Sequence, residues 1–404
     1  MAMLGSVRFV DRGRDVSFGR RASSVSTVST GALGSGQRRK ARSLHRAVLL
    51  GVFLALTSVT VVPAVGAATK STSGVKAVFV SFSDVSCGTP GHCVVLGNTD
   101  STPARFFLAT TNDGGSRWVL HSSLPRYVYQ LSQVVCLTAR DCMAIGGGDI
   151  VRTTNDWVTS EDVSSALDAT AISCPNVSDC TAVGQSGFQE IAMLATTRNA
   201  GATWKTLTFP SLRELDLVTC PTANDCTAFG TYADGHTGPQ YLATTDGGVK
   251  WTRHNVSLGL GPFGAIAMSC STSRDCVVSG PGPEHGEIAF THNDGMTWRN
   301  GDIAVPDGTI LGDYEAVSCS SSSDCTAVGG SVIDTTDGGA TWTLRVPFGK
   351  TEFGTGYEEY LDTVSCPTSK YCMAASIGSA SFSGAVITTT DGGITWTRLT
   401  NLPR

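Results

Sequence analysis

Outside its N-terminal region, this 404-residue chain has no stretch with a 3.6-residue apolar period, which excludes amphipathic helices as its main building element. Charge is scarce, with only 16% Asp, Glu, Lys and Arg. What basic charge exists is lopsided: residues 1–46 hold ten Arg or Lys against two acids, Asp11 and Asp15, leaving 19 basic and 32 acidic residues in 47–404. A body with a net charge near −13 repels phosphate backbones and anionic membrane surfaces, so nucleic acid is excluded as a partner. There is no phosphate-binding glycine loop, no nucleophile elbow, no EF-hand and no RTX nonapeptide. The histidines beyond the leader (92, 121, 236, 254, 285, 292) lack any zinc- or iron-ligand spacing, and Glu284-His285-Gly286-Glu287 reads as a polar turn. No metal and no cofactor are expected.

The one long apolar run is AVLLGVFLALTSVTVV at 47–62, behind the basic flank RRKARSLHR and ahead of Val65-Gly66-Ala67. That order is a secretory signal with a small-x-small cleavage site; left uncut, the run is nearly long enough to act as a signal anchor. The expected organisation is a basic region at 1–46, the signal segment at 47–67, a linker at 68–76 and a folded body at 77–404. The body is expected to be exported, either secreted or held at the membrane by residues 47–62, and to be a monomer.

The fourteen cysteines support export. They fall as seven copies of C-x5-C with none left over: Cys87 with Cys93, Cys136 with Cys142, Cys174 with Cys180, Cys220 with Cys226, Cys270 with Cys276, Cys319 with Cys325, and Cys366 with Cys372. Zinc knuckles use other spacings with a second pair, so the pattern reads as seven local disulfides. Each closes a short ring, and the chain-entropy model assigns about 2 kcal/mol to each.

Aligned on these pairs, the chain repeats every 38 to 50 residues. One full unit, YEAVSCSSSSDCTAVGGSVIDTTDGGATWTLRV (314–346), reads as four short strands: 314–318, 326–329, 332–335 and 341–346. Seven four-stranded units predict an all-β fold, a single seven-bladed β-propeller with one disulfide in each blade. The seven tryptophans (118, 157, 204, 251, 298, 342, 396) occur one per unit, beside or just after a turn, as expected of a wedge between blades with its N–H held by a nearby carbonyl.

That turn has the form T-x-[DN]-x-G-x-x-W. It is matched by Thr111/Asp113/Gly115/Trp118, Thr197/Asn199/Gly201/Trp204, Thr244/Asp246/Gly248/Trp251, Thr291/Asn293/Gly295/Trp298, Thr335/Asp337/Gly339/Trp342 and Thr389/Asp391/Gly393/Trp396. The second unit keeps Thr154 and Asp156 but has no glycine. The motif resembles the Asp-box, or BNR repeat, of sialidases, sortilin-type receptors, xyloglucan-active glycosidases and photosystem II stability/assembly factors. The resemblance covers about 77–404. It implies that Asp113, Asp156, Asn199, Asp246, Asn293, Asp337 and Asp391 brace turns rather than act on a substrate. The xyloglucan-active enzymes usually need a second propeller, for which this chain has no room, and the Arg-Ile-Pro segment of sialidases is absent.

In a four-stranded meander the cysteine loops and the boxes share one face. The loops between the second and third strands share the other with the blade-to-blade links, and they vary in length and chemistry as a recognition surface does. On that variable face, Arg126, Tyr127, Tyr129 and Arg213 are candidate contacts for an anionic ligand. Tyr357-Glu358-Glu359-Tyr360 is the candidate catalytic set, for acid–base work or a Tyr–Glu nucleophile pair, against a plain reading as a solvated loop. The expected function is an exported, non-enzymatic propeller that binds a protein or a glycan on this face; the alternative is a sialidase-like glycoside hydrolase using its carboxylates.

Overall fold

The computed structural model describes residues 80–401 apart from the segments 100–104, 122–130, 166, 188–190, 233–239, 255–257, 259–264, 283–285, 305–311, 347–359 and 379–383. The expectations for 1–79, including the signal segment, the linker and any membrane anchor, lie outside the described residues. Among the described residues no helix is long and apolar enough to cross a membrane.

Seven antiparallel meanders follow one another along the chain, six of four strands and one, the sixth, of five. Blades 1 to 7 span 80–121, 133–162, 167–209, 212–254, 267–300, 314–346 and 363–398. The strands in 314–346 begin and end within a residue of their expected limits, the first two taking in the cysteines as Tyr314–Cys319 and Cys325–Gly329. The first strand of each blade packs against the first strand of the next, and that of blade 7, Thr363–Ser365, packs against that of blade 1, Val80–Thr89. Each sheet is built from one continuous stretch of chain except the sixth, which gains Asp302–Ala304 as a parallel outer strand. The described ring therefore closes end to end, and Val80–Thr89 pairs with the second strand of its own blade rather than clasping the last one.

The free edge of an innermost strand faces the channel, and each N–H there needs an acceptor. The sequence supplies one through the residue before the first cysteine. The hydroxyls of Ser86, Ser173, Thr219, Ser269, Ser318 and Ser365 accept the N–H of Cys136, Cys220, Cys270, Cys319, Cys366 and Cys87, in each case from the following blade, at 2.9–3.4 Å. In the second blade Val135 stands at this position and has no hydroxyl; there Gln133 Oε1 accepts the Ile172 N–H of blade 3 at 2.8 Å.

All seven expected pairs form disulfides, with Cα–Cα distances of 4.0–4.1 Å. Cys136 and Cys142 stand directly opposite each other across two antiparallel strands, as do Cys270 and Cys276, so these bridges close a ladder rather than an open loop. The second cysteine of each pair is buried, and several lie against the preceding blade: Cys93 on Tyr371 of blade 7, Cys180 on Met143, Cys226 on Thr181 and Cys372 on Thr326. Cys142 packs with Val94 and Leu96 of blade 1, and Cys276 is buried opposite Thr291 of its own blade. The bridges thus fill joints as well as close rings.

The hydrophobic core is divided the same way. It forms seven clusters, each built from two neighbouring blades, and each holds one of the seven tryptophans. Trp204, Trp298 and Trp342 donate their indole N–H to Val163 O, Gly295 O and Gly339 O. The wedge expected from the sequence is present, but the carbonyl is not general: among the described residues the buried indole N–H groups of Trp118, Trp251 and Trp396 have no hydrogen-bond partner, so burial rather than the N–H bond holds these wedges.

The turn glycine is also a joint residue. Gly339 has φ +100°, and a Cβ there would sit 2.9 Å from Phe290 Cβ of the preceding blade, closer than real Cβ contacts come. Gly148, in a hairpin of blade 2, has φ +88° and nothing within 4 Å. Gly148→Ala should therefore cost about 1 kcal/mol for backbone conformation alone. Gly339→Ala adds the collision across the joint and should cost about 2–4 kcal/mol, lowering Tm several degrees further. Thermal unfolding of the two variants side by side checks this ordering.

Candidate functional site

One end of the ring is built from seven copies of the same turn. The threonine Oγ1 accepts the N–H four residues on (Gly115, Trp157, Gly201, Gly248, Gly295, Gly339, Gly393) at 2.8–3.2 Å. It donates to a side-chain oxygen two residues on, and that oxygen accepts the N–H of the seventh residue at 2.9 Å in every blade. The fourth residue's N–H reaches a carbonyl of the cysteine loop of its own blade, as in Gly114 to Gly91 O and Gly392 to Lys370 O. The cysteine loops and these turns therefore share one face.

Blade 2 corrects the sequence reading. Its turn is set by Thr153 and Asn155, not by Thr154 and Asp156: Asn155 Oδ1 takes the Thr159 N–H, and Trp157 stands where the glycine does elsewhere. Trp157 accepts φ 61°, a conformation that L residues avoid, and its indole is buried against blade 1. Displaced from the acceptor position, Asp156 binds His92 Nε2 of blade 1 at 3.1 Å.

The carboxylates of the turns are held as anions. Asp391 sits down at about 2, chiefly through the Thr395 hydroxyl and N–H. Asp113 and Asp246 are lowered, first by the Arg117 and Lys250 backbone N–H groups. A carboxylate saturated with local donors is a brace, with little capacity left for a ligand.

Arg126, Tyr127, Tyr129, Tyr357, Glu358 and Glu359, expected from the sequence on the opposite face, lie outside the described residues. Arg213 is described; it stands exposed on the innermost strand of blade 4, Leu212–Thr219. Tyr360 is 37% exposed, next to Gly312 at the joint of blades 6 and 7. Near it is a residue that the motif search passed over. Asp362 accepts the Ile377 N–H at 2.6 Å, and its carboxyl is pushed up to about 6 by burial, with the Glu315 charge adding to the shift. Both acids stand four residues before the first cysteine of their blades, a periodic position that could have flagged them.

Asp84 is the other raised carboxyl, also at about 6, and burial is again the main cause. Its oxygens are spoken for: Oδ1 accepts the Thr363 hydroxyl of blade 7 at 2.6 Å and Oδ2 the Val134 N–H of blade 2 at 2.7 Å. Asp84 thus ties three blades at the ring closure rather than facing a substrate. Among the described residues no three of His, Cys, Asp and Glu come together to hold a metal ion.

Several solved structures share this architecture. A YCF48 protein bound to a D1 peptide aligns with TM-score 0.52 and 14% identity, over 74% of this chain and 92% of that one. The propeller domain of the Trilobed protease from Pyrococcus furiosus, described as having an open velcro topology, gives 0.51 and 10% over 80% and 100%. An ancestral GH74 enzyme gives 0.50 and 12% over 77% of this chain but only 44% of the enzyme. At such identities the likeness is one of fold. No family model and no curated protein matches the chain.

The raised acids and the lowered turn carboxylates give opposite pH dependences. A carboxyl raised in the fold favours the folded state while protonated, so the contributions of Asp84 and Asp362 are complete below about pH 4 and are lost as pH rises to about 6. The turn carboxylates, lowered in the fold, contribute above about pH 4 and lose that contribution as pH falls toward 2. Stability should therefore peak near pH 4–5. Asp84→Asn keeps both bonds, with the amide oxygen toward Val134 and its NH2 toward Thr363. It should flatten the pH 4–6 decline by about 1–3 kcal/mol, as read by denaturant titration across that range.

Proposed function

We propose that this chain is an exported, non-enzymatic propeller that binds a protein partner through its variable loop face, with its seven turns acting as Asp-box (BNR) braces. The carrying observation is the contrast between the two faces. On the brace face one set of hydrogen bonds is repeated seven times and serves the fold. On the loop face the strand ends differ from blade to blade, as a surface matched to one partner requires.

Export is supported by the seven disulfides and the signal-like sequence of 47–67. The binding reading also draws on the likeness to a YCF48 protein solved with a peptide, which spans nearly all of that chain, whereas the GH74 likeness spans under half of the enzyme. In this reading Arg126, Tyr127, Tyr129 and Arg213 engage acidic or amide groups of the partner, and Tyr357, Glu358, Glu359 and Tyr360 form the rim of the contact.

One observation keeps the glycoside hydrolase reading in play. Asp362, raised to about 6 beside Glu315, has the protonation behaviour of a general acid.

A peptide-display screen and a glycan array on the purified protein, run with fluorogenic glycosides, separate the readings. The expected result is peptide binding that falls at least about tenfold when Arg126 and Arg213 become Ala, with no turnover. Glycan binding without turnover would make the face lectin-like. Turnover that disappears in Asp362→Asn, or in Glu358→Gln with Glu359→Gln, would overturn the binding reading.

A further inference from the structure

The outer edges of the blades are not alike. Among the described residues, five outermost strands have two or three residues: Val119–His121, Glu161–Asp162, Thr252–His254, Arg299–Asn300 and Thr397–Arg398. Short edges offer little backbone to an incoming strand. Two are longer, Thr341–Val346 in blade 6 and Lys205–Phe209 in blade 3.

In blade 6 the chain covers its own edge. Asp302–Ala304 lies parallel to the outer strand, with Asp302 opposite Thr341, Ile303 opposite Trp342 and Ala304 opposite Thr343. The Asp302 N–H donates to Ala340 O at 2.9 Å, and Ile303 joins the hydrophobic cluster that contains Trp342.

In blade 3 no described residue covers the corresponding edge. Counted from the turn threonine, Ala202, Thr203, Trp204 and Lys205 hold the places of Ala340, Thr341, Trp342 and Thr343. The chain arriving from blade 2 reaches Trp204, whose indole N–H donates to Val163 O at 2.6 Å. It then turns away into Leu167–Ser173 without running along the edge. Among the described residues the strand Lys205–Phe209 pairs only with Ala192–Thr197. Beside it is an open cleft of about 720 Å³, with Ala202, Thr203, Trp204 and Thr206 on one wall and Val163 and the Arg152–Glu161 ion pair on the other. Blade 2, which forms the other wall, departs from the repeat in its turn, where Trp157 stands in place of the glycine and fills the joint with blade 1.

The geometry points to strand addition at this edge: an extended segment of a partner protein lies parallel to residues 203–205 and the start of the strand that follows, with an apolar side chain over Trp204 and a small or acidic residue on each side. Blade 6 displays the mode of binding and the chemistry of the occupant within the same molecule, Asp-Ile-Ala against a tryptophan. Backbone hydrogen bonds give such a contact its affinity, and the aromatic floor gives it selectivity. The outer strand itself, Lys-Thr-Leu-Thr-Phe, is rich in β-forming residues and has no proline or bulge to repel a partner, its single guard being Lys205. This edge is separate from the loop face, so either can bind without the other.

The probe is a fluorescent peptide with the sequence of residues 300–305, titrated into the full-length protein, with amide hydrogen exchange read over 203–209. The expected result is saturable binding with slowed exchange within 203–209, weakened at least about tenfold in Thr206→Trp, which fills the cleft from an exposed strand position that tolerates an aromatic. Loop-face ligands should bind this variant as before. No binding at about 1 mM peptide, or no change in exchange across 203–209 of the wild-type protein, overturns the proposal, and the exchange readout stands whether or not Thr206→Trp folds. So does a sedimentation result in which the protein alone is a dimer with 203–209 already protected; the edge would then belong to a second copy.

Discussion

Everything in this molecule depends on the joint between neighbouring blades. A blade of four short strands has two faces to bury and an inner edge whose N–H groups point into the channel, and it can satisfy neither alone. The Ser or Thr before the first cysteine supplies the inner edge of the next blade with an acceptor in six of seven joints. The paired faces bury one tryptophan at each joint. Even the disulfides, local in sequence, are covered by the preceding blade. At the closure, where no exchanged strand is seen among the described residues, Asp84 draws Thr363 and Val134 onto one carboxyl.

These commitments decide where function can reside. The carboxylates that hold the joints and turns have their hydrogen bonds filled, and their titration answers to the fold. The loop face and the outer edge of blade 3 are under no such obligation. The second of these adjoins the most irregular unit, in which a tryptophan replaces the turn glycine and a cleft opens against the next blade.

The cysteine spacing and the phase of the turns made the blade count, the strand order and the disulfide pairing legible in the sequence, because each is a local pattern repeated seven times. The acceptor of the second turn was misread: TTNDW permits two registers, and only the hydrogen bonds select Asn155 over Asp156. The Ser-Cys and Thr-Cys pairs were visible, but a hydroxyl that caps the next blade is a contact between units some fifty residues apart, which no local pattern encodes. The same holds for Asp84, Asp362 and the clip at Asp302–Ala304. Their roles come from what the ring places beside them.

If the joints, rather than the individual blades, hold the propeller together, then opening one must loosen all. Native-state hydrogen exchange of the amides of Cys87, Cys136, Cys220, Cys270, Cys319 and Cys366 tests this most directly, since each is bonded across a joint. The account predicts that all six exchange with a common free energy, equal to that of global unfolding. Six separate values, with one or two blades opening while the others stay protected, would contradict it.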